Sequence, residues 1–175
     1  MYCQINNDRA EDVKRNMQWN WSKSMYLGDV ICRYVERAMG SDEIRPMSGT
    51  AFNYWGGLAM MVVESADTLH ILGLEKEFQQ ASQYIHSSLH FDIDHYTSFF
   101  ETIIRMVGGL LSGYALSDDP IYLNKAKDLG DRLMKAYTPT EVLNRPNVNL
   151  ATGAGSVQER RISLAETATN YLEFV

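Results

Sequence analysis

The chain has 175 residues, of which 45% are hydrophobic and 22% are charged, and its formal net charge is −6 at pH 7. That length and composition are typical of one globular domain with a sizeable core, and they exclude an intrinsically disordered chain. The negative charge and the lack of any basic run argue against a phosphate backbone as partner, so no nucleic-acid role is predicted.

Neither a targeting segment nor a membrane span is predicted in this chain. Residues 1–16 contain no apolar core of a signal peptide. The uncharged stretch 51–63 is interrupted by Asn53 and two glycines, and it is too short to cross a membrane. Cys3 and Cys32 lie far apart without metal-ligand spacing, so they leave the redox compartment open.

Apolar residues recur at helical spacing through most of the chain, and no stretch shows sustained two-residue alternation. The predicted fold class is therefore all-α, with about six helices arranged as successive hairpins. Glycines, aspartates and prolines between the apolar runs provide the stop and start signals. The predicted helices are Arg9–Met39 (one long helix or two in series), Tyr54–Leu72, Glu75–Leu89, a helix from Phe99 to near Ser117, Ile121–Ala136 and Ile162–Val175.

The longest predicted connector runs from Tyr137 to about Arg160 and is polar, with several prolines and glycines. Loops longer than roughly 15 residues are usually functional or disordered. This connector is therefore a candidate for a segment that crosses the mouth of a site.

The helix that begins at Phe99 carries the most informative pattern. Glu101 and Arg105 are four residues apart and therefore share one face of this helix. They are interpreted either as a solvated ion pair or, because the helix around them is so apolar, as a functional carboxylate with a cationic neighbour. In the second case Arg105 holds Glu101 ionised or binds a hydroxyl of a ligand, and the sequence leaves both open.

Two adjacent glycines, Gly108 and Gly109, interrupt the same helix. Each costs a helix interior about 1 kcal/mol relative to alanine, so the close approach of another backbone or of a ligand is expected to compensate. Gly108 and Ser112 continue the face of Glu101 and Arg105, which predicts a slot without bulky side chains beside the charged pair.

Further carboxylates are candidates for the same site. Glu64 and Asp67 are three residues apart and project from similar faces of their predicted helix. Asp67 and Glu166 lie in apolar surroundings, where a carboxylate is either bonded structurally to a neighbouring helix end or functional. Acids directed inward from different helices suit glycoside hydrolysis, in which one carboxyl protonates the leaving oxygen and another activates water or attacks. The acidic candidates are Asp42, Glu43, Glu64, Asp67, Glu101 and Glu166.

Other chemistries lack a motif. None of the four histidines belongs to an HExxH pattern, and His86 and His90, four residues apart, are interpreted as chance rather than as zinc ligands. No G-x-S-x-G, P-loop or dinucleotide fingerprint occurs. No metal ligand is therefore predicted in this chain.

A specific resemblance joins these patterns. The string FFETIIRMVGGLLSGYALSDD at 99–119 closely resembles the signature FE-x-x-IR-x-x-GGLLSAY-x-LSGD of class I α-mannosidases, glycoside hydrolase family 47. Blocks that resemble other motifs of that family, in the same order, are AMGSDEIRPMS at 38–48, WGGL at 55–58, VESADTL at 63–69, LGL and EF within 72–78, KAKDLGDRL at 125–133, VNLATG at 148–153, and LAE and LEF within 164–174. The chain departs at Met39, where tryptophan is usual, and at Glu64 and Ala66, which replace an aspartate and a leucine.

The resemblance implies an (αα)7 barrel that removes α-1,2-linked mannose from N-glycans by an inverting, calcium-dependent reaction. By motif position, Glu101 corresponds to the family's acid carboxylate, and Arg105, Asp67 and Glu166 correspond to pocket residues that contact sugar. Glu43 corresponds to a substrate-binding position through a weaker match. The family's calcium is held by a threonine that has no counterpart in this chain.

Length is the departure that matters most, because the family's domain is well over twice as long. Residues 1–175 are expected to be the N-terminal part of such a domain, an α/α toroid truncated after about three hairpins. The parent is expected to be a secretory-pathway α-1,2-mannosidase of the endoplasmic reticulum or Golgi that acts on high-mannose N-glycans.

This piece alone is expected to be inactive, because an inverting reaction needs both an acid and a base. The missing C-terminal half of the barrel is then the partner that its exposed inner faces require. Two alternatives remain: a catalytically inactive module that binds mannose glycans in glycoprotein quality control, and an all-α scaffold without a glycan role.

Overall fold

The computed structural model describes residues 34–137, 143–156 and 163–174. Within these ranges, the helices are α1 (Met60–Ile71), α2 (Glu75–Ser87), α3 (Phe99–Ser117), α4 (Pro120–Leu133) and α5 (Leu164–Ala168), and residues 34–37 are also helical. The strands are β1 (Glu43–Arg45), β2 (Thr50–Phe52), β3 (Tyr96–Ser98) and β4 (Asn147–Asn149). Turns of 3₁₀-helix, Met134–Ala136 and Thr169–Glu173, follow α4 and α5.

The helical hairpins follow from sequence signals that the chain carries at its turns. Gly73, with φ of 70°, takes the left-handed conformation that lets α1 turn back into α2. Between α3 and α4, Asp118 adopts φ of 55°, and the Asp119 side chain accepts a hydrogen bond from the amide of Ile121 at 3.0 Å. Pro120 occupies the first position of α4, where its missing N–H costs nothing.

The two hairpins lie side by side in two layers. α1 packs against α3, and α2 packs against α4. Contacts between α1 and α3 advance in the same direction along both helices, from Met60 and Arg105 to Asp67 and Ser112. α2 and α4 each bury one stripe and keep a polar face, whereas the described parts of α1 and α3 supply much of the common core. This layered pairing of hairpins is the arrangement expected of an α/α toroid, and the all-α prediction is confirmed.

Gly109 explains how closely α1 and α3 approach. A Cβ on Gly109 would lie 3.1 Å from Cγ1 of Val63 and 3.3 Å from its carbonyl oxygen. The close backbone approach predicted for the glycine pair is therefore observed at Gly109. At Gly108 the nearest atoms to an added Cβ are the Ile103 oxygen at 3.7 Å and the Glu173 side chain at 4.0 Å, which are ordinary contacts.

α3 is not a uniform α-helix. Its first turn is α-helical, residues Thr102–Val107 form a π-helical segment, and the α-helix resumes at Gly108. Such widened turns are rare and are frequent at functional sites. Helical periodicity does not reveal this segment, which lies immediately after Glu101 and contains Arg105.

α3 is also the one helix, among the described residues, that is long and apolar enough to cross a membrane by length and composition. Its side chains at Ile103, Met106 and Leu110 are fully buried in the protein core. Because the core helix of a soluble protein passes the same test, this is weak evidence for a span.

Two details of the predicted elements need correction. The helix predicted from Tyr54 begins at Met60, because Gly56 and Gly57 take φ values of 86° and 90° and the chain before Met60 forms an irregular loop. β1 pairs with β2 and β3 pairs with β4, each in an antiparallel manner. These two short strand pairs were not predicted from the sequence. Strands of three residues are too short to show an alternating pattern.

The β3–β4 pair brings part of the predicted connector to the start of α3. Thr97 lies opposite Val148, and the amide of Phe99 donates to the carbonyl of Pro146 at 2.8 Å. This part of the predicted 137–160 connector is therefore ordered against the helix that carries Glu101. The predicted helix over 9–33 lies outside the described residues, as do both cysteines.

Candidate active site

The first turn of α3 positions Glu101. β3 leads directly into α3, and the Ser98 hydroxyl caps the helix by accepting a hydrogen bond from the amide of Glu101 at 3.3 Å. One turn later the π-helical segment presents Arg105 on the same side. The predicted pairing of these two residues is observed: Arg105 Nε donates to Glu101 Oε2 at 2.7 Å.

Arg105 also reaches a carboxylate on the neighbouring helix. Its Nη1 lies 3.5 Å from Oε2 of Glu64 in α1 and 3.9 Å from the sulfur of Met60. The side chains of Arg105, Glu64 and Glu101 are 41%, 39% and 34% exposed, so the group is accessible from solvent. We call these three residues the carboxylate–arginine cluster. One guanidinium thus joins acids from two adjacent helices.

The electrostatics of the cluster single out Glu64. Partial burial raises the pKa of the Glu64 carboxyl above its usual value, and the nearby Arg105 guanidinium only partly opposes this rise. The pKa of Arg105 is raised by its hydrogen bond to Glu101, despite some burial, and by the charge of Glu64. Burial therefore favours the neutral form of the Glu64 carboxyl, although this carboxyl lies beside a cation.

Trp55 lies next to the cluster and is fixed by Asp42. The Arg105 guanidinium carbon is 5.9 Å from the centroid of the Trp55 ring. The Asp42 carboxylate is almost fully buried and accepts hydrogen bonds from the amides of Trp55 at 2.8 Å, Gly57 at 2.9 Å and Met60 at 3.4 Å. Asp42 therefore anchors both the Trp55 loop and the start of α1.

Asp67 lies about one turn beyond Glu64 on α1 and makes a different contact. Its Oδ2 accepts a hydrogen bond from the Ser112 hydroxyl of α3 at 2.9 Å. The predicted slot beside Gly108 and Ser112 is therefore occupied in part, by Asp67 at Ser112 and by the Glu173 side chain near Gly108. Asp67 links the same two helices as the cluster does. This contact is compatible with both interpretations of Asp67, as an acid that stabilises the helix packing and as an acid of the site.

The other two predicted site residues do not meet the cluster through any contact described in the structure. Glu43 is exposed on β1. Glu166 forms a capping box at the start of α5, in which its Oε2 accepts from the amide of Ser163 at 2.9 Å and its own amide donates to the Ser163 hydroxyl at 3.2 Å. A serine three residues before a glutamate is the sequence signal of this box, and the prediction for Glu166 did not use it.

Glu64 was among the acidic candidates of the sequence but received no role at the site, and Trp55 was named only as part of the WGGL block at 55–58. The three-residue spacing of Glu64 and Asp67 was the available signal for Glu64, because it places both on the face that meets α3. The contact between Trp55 and Arg105 could not be predicted from that block, because an irregular loop brings the ring to the guanidinium.

A groove on another part of α3 is a second candidate site. It has a volume of about 340 Å³ and is lined mostly by apolar side chains of α3, α4 and the chain end, such as Val107, Leu123 and Phe174. Its charged lining residues are Lys127, Asp131 and Glu173, and the first two are already paired with each other at 2.8 Å. We assign the candidate site to the carboxylate–arginine cluster, because acid–base chemistry needs converging ionisable groups.

Calcium is the cofactor that the resemblance implies, and the described residues do not fit it. Within 34–137, 143–156 and 163–174, no group of three or more His, Cys, Asp or Glu side chains converges as a metal site. The two carboxylates that do converge share Arg105, whose positive charge disfavours a cation there. No step of the chemistry is therefore assigned to a metal held by these residues.

Comparison with known proteins bears on what this cluster is part of. A family model described as "Glycosyl hydrolase family 47" matches residues 31–175. The chain belongs to glycosyl hydrolase family 47. The expectation from the FFETIIRMVGGLLSGYALSDD string is thereby confirmed, and the matched range includes all five predicted site residues.

Named relatives agree with this family assignment. The chain is 40% identical to a mannosyl-oligosaccharide 1,2-alpha-mannosidase of Arabidopsis thaliana, over 98% of this chain and 30% of the relative. It is 39% identical to an endoplasmic reticulum mannosyl-oligosaccharide 1,2-alpha-mannosidase of Homo sapiens, over 81% of this chain and 20% of the relative. The chain thus spans between a fifth and a third of the length of these family 47 relatives.

A solved structure supports the fold. The alpha-1,2-mannosidase from Trichoderma reesei superposes with a TM-score of 0.64 at 24% identity, covering 83% of this chain and 31% of that structure. At this identity the likeness concerns the fold alone. The layered hairpins of this chain are accordingly part of a family 47 helical toroid.

Proposed function

We propose that this chain supplies the acid side of the sugar-cleaving pocket of a mannosyl-oligosaccharide α-1,2-mannosidase. One observation carries the proposal: Arg105 is shared between Glu101 and Glu64, accessible to solvent, at the π-helical turn of a family 47 toroid. Relatives of about 40% identity are named as enzymes of this activity, which supports the substrate class. The proposed substrate is the terminal α-1,2-linked mannose of a high-mannose N-glycan.

In this proposal Glu101 protonates the leaving glycosidic oxygen, and a second carboxylate activates the attacking water from the opposite face of the sugar. Arg105 fixes the Glu101 carboxyl by its short hydrogen bond and turns its remaining N–H groups to sugar hydroxyls. Asp67 holds α1 against α3 at Ser112, and so supports this geometry. The roles predicted for Glu43 and Glu166 rest on the resemblance alone.

The second carboxylate and the calcium ion belong, in this proposal, to the part of the catalytic domain that the chain does not span. The chain covers 30% or less of the two named relatives, and its described residues offer no cation site. We therefore expect the chain by itself to bind mannose without turnover. The secretory pathway is the proposed location, because several relatives are named as endoplasmic reticulum enzymes.

A chimera tests the proposal. The segment of the Arabidopsis relative that aligns with this chain is replaced by this chain, and mannose release from α-1,2-mannobiose is measured. We expect the chimera to be active and Glu101→Gln to lower kcat by about 10²-fold or more, because general acid catalysis contributes roughly that much. Glu75→Gln, which changes an exposed acid of α2, is the matched control and should leave kcat unchanged.

The outcomes separate the alternatives. Full activity of Glu101→Gln contradicts the assigned acid role. A folded chimera that binds mannobiose without cleaving it favours the inactive glycan-binding module. Folding is checked by the cooperativity of thermal unfolding, so that loss of activity is not confused with loss of structure.

A further inference from the structure

Three aromatic side chains lead from the β1–β2 hairpin to the carboxylate–arginine cluster. We call Phe52, Tyr54 and Trp55 the aromatic row. The ring centroids of Phe52 and Tyr54 are 6.3 Å apart at an angle of 40°, and those of Tyr54 and Trp55 are 5.3 Å apart, edge to face. The row therefore consists of consecutive ring contacts.

An arginine lies at each end of the row. The guanidinium carbon of Arg45 is 4.2 Å from the Phe52 ring centroid, and that of Arg105 is 5.9 Å from the Trp55 ring centroid. Arg45 and Phe52 belong to β1 and β2, whereas Arg105 belongs to the cluster. The row is thus continuous with the candidate active site, and cationic N–H donors stand at both ends.

The row is held rigidly but is not buried. Asp42 fixes the backbone beside it through the amides of Trp55 and Gly57, at 2.8 and 2.9 Å. Tyr54 is nevertheless 62% exposed. Tyr54 thus presents its ring to solvent from an anchored backbone, beside the half-buried rings of Phe52 and Trp55.

We propose that the aromatic row is a sugar-stacking subsite that holds a neighbouring residue of the mannoside whose terminal residue lies at the cluster. This inference rests on the proposed function and deepens it. A pyranose ring has an apolar face of C–H groups that packs on an aromatic ring, and hydroxyls at its rim that accept from arginine N–H groups. The row offers both, and its position next to Arg105 matches an oligosaccharide rather than a single sugar.

The test uses the whole 175-residue chain and α-1,2-mannobiose, with binding measured by NMR titration. We expect Tyr54→Ala to raise the Kd by about fivefold or more, which corresponds to the loss of one good aromatic contact. Tyr54→Phe keeps the ring and should stay within about twofold of the unchanged chain. Met47→Ala, at a fully exposed position of the same hairpin, is the matched control and should also have no effect.

Other outcomes either contradict the proposed role of the aromatic row or contradict only the proposed role of the cluster. If Arg105→Ala abolishes binding but Tyr54→Ala leaves it unchanged, the row is wrong and the proposed function stands. If Tyr54→Ala weakens binding but Arg105→Ala does not, the row is a sugar site and the role of the cluster is wrong. If Tyr54→Ala raises the Kd for cellobiose as much as the Kd for α-1,2-mannobiose, the row is not a subsite for mannosides. If the unchanged chain binds no mannobiose, the subsite is rejected, and the chimera assay decides the proposed function independently.

Discussion

Asp42 connects the sequence of the first hairpin to the geometry of the site. Its buried carboxylate accepts three backbone hydrogen bonds, from Trp55, Gly57 and Met60. The neighbouring Glu43 is exposed on β1 and has no comparable set among the described contacts. Two adjacent acids in one motif therefore have different energetic roles, because only one of them faces the Trp55 loop.

We expect Asp42→Ala to lower the free energy of unfolding by about 3 kcal/mol, because three amides lose a charged acceptor in a buried place. Glu43→Ala should change it by no more than about 0.5 kcal/mol, as is usual for exposed positions. Urea denaturation of both variants at neutral pH measures the difference. Equal effects of the two substitutions would show that the Asp42 hydrogen bonds do not hold this loop.

Residue roles were predictable where they depend on local spacing. The Glu101–Arg105 pair follows from a four-residue separation on one helix, and it is observed at 2.7 Å. The partner of Arg105 on α1, Glu64, could not be derived in this way, because it depends on the register of two helices. The catalytic and sugar-binding roles of Glu101, Arg105, Asp67, Glu166 and Glu43 stay predictions.

At the scale of the helix, the glycine pair of α3 has two different environments. Gly109 meets the Val63 backbone, whereas Gly108 has room for a methyl group. We expect Gly109→Ala to be less stable than Gly108→Ala by about 1–3 kcal/mol, because overpacking against a backbone carbonyl cannot relax easily. Thermal unfolding of the two variants measures this difference.

Gly108→Ala provides the matched control, because both substitutions gain the same helix propensity of up to about 1 kcal/mol. We expect it to leave the chain as stable as before or more stable. If the two variants are equally stable, Gly109 does not set the distance between α1 and α3.

Helix boundaries were predicted well where capping signals are local. α2 and α4 begin and end close to the predicted positions, since Asp119 and Pro120 mark the start of α4 in the sequence itself. The start of α1 was misplaced by six residues, at Tyr54 instead of Met60. The apolar pattern continues through that loop, so the sequence does not mark the boundary. The loop forms because its backbone amides donate hydrogen bonds to the Asp42 carboxylate, which is distant in sequence.

At the scale of the whole molecule, one of the contacts between the two hairpins joins α2 to the start of α4. His86 near the end of α2 lies 2.6 Å from Oδ2 of Asp119, which also caps α4. Partial burial would raise the pKa of Asp119, but the hydrogen bonds from the Ile121 amide and His86 outweigh it, and the pKa is lowered. A lowered carboxyl pKa means that the folded state favours the ionised form.

We expect Asp119→Ala to destabilise the chain by about 1 kcal/mol at pH 7, through loss of the helix cap. The contribution of Asp119 is fully present above its ordinary pKa of about 4 and is lost as the pH falls through the lowered value. The difference from the unchanged chain should therefore shrink below about pH 4. Urea denaturation at a series of pH values measures it.

Asp131→Ala is the control for this prediction, because Asp131 pairs with Lys127 on an exposed face of α4. Exposed pairs of this kind contribute little to the free energy of unfolding. The free energy of unfolding of Asp119→Ala is compared with that of the unchanged chain. If the two values do not approach each other in acid, the ionised form of Asp119 does not stabilise the fold.

The sequence by itself determined the helices, their turns, the family and the pairing of Glu101 with Arg105. These features depend on residues a few positions apart, and helical periodicity or an ordered motif expresses them directly. The tertiary structure alone decided that α1 runs beside α3, that Glu64 shares Arg105, and that Trp55 stands beside them. Those relations depend on contacts between residues about 40 or more positions apart, and loop closure over such distances leaves no periodic trace in the sequence.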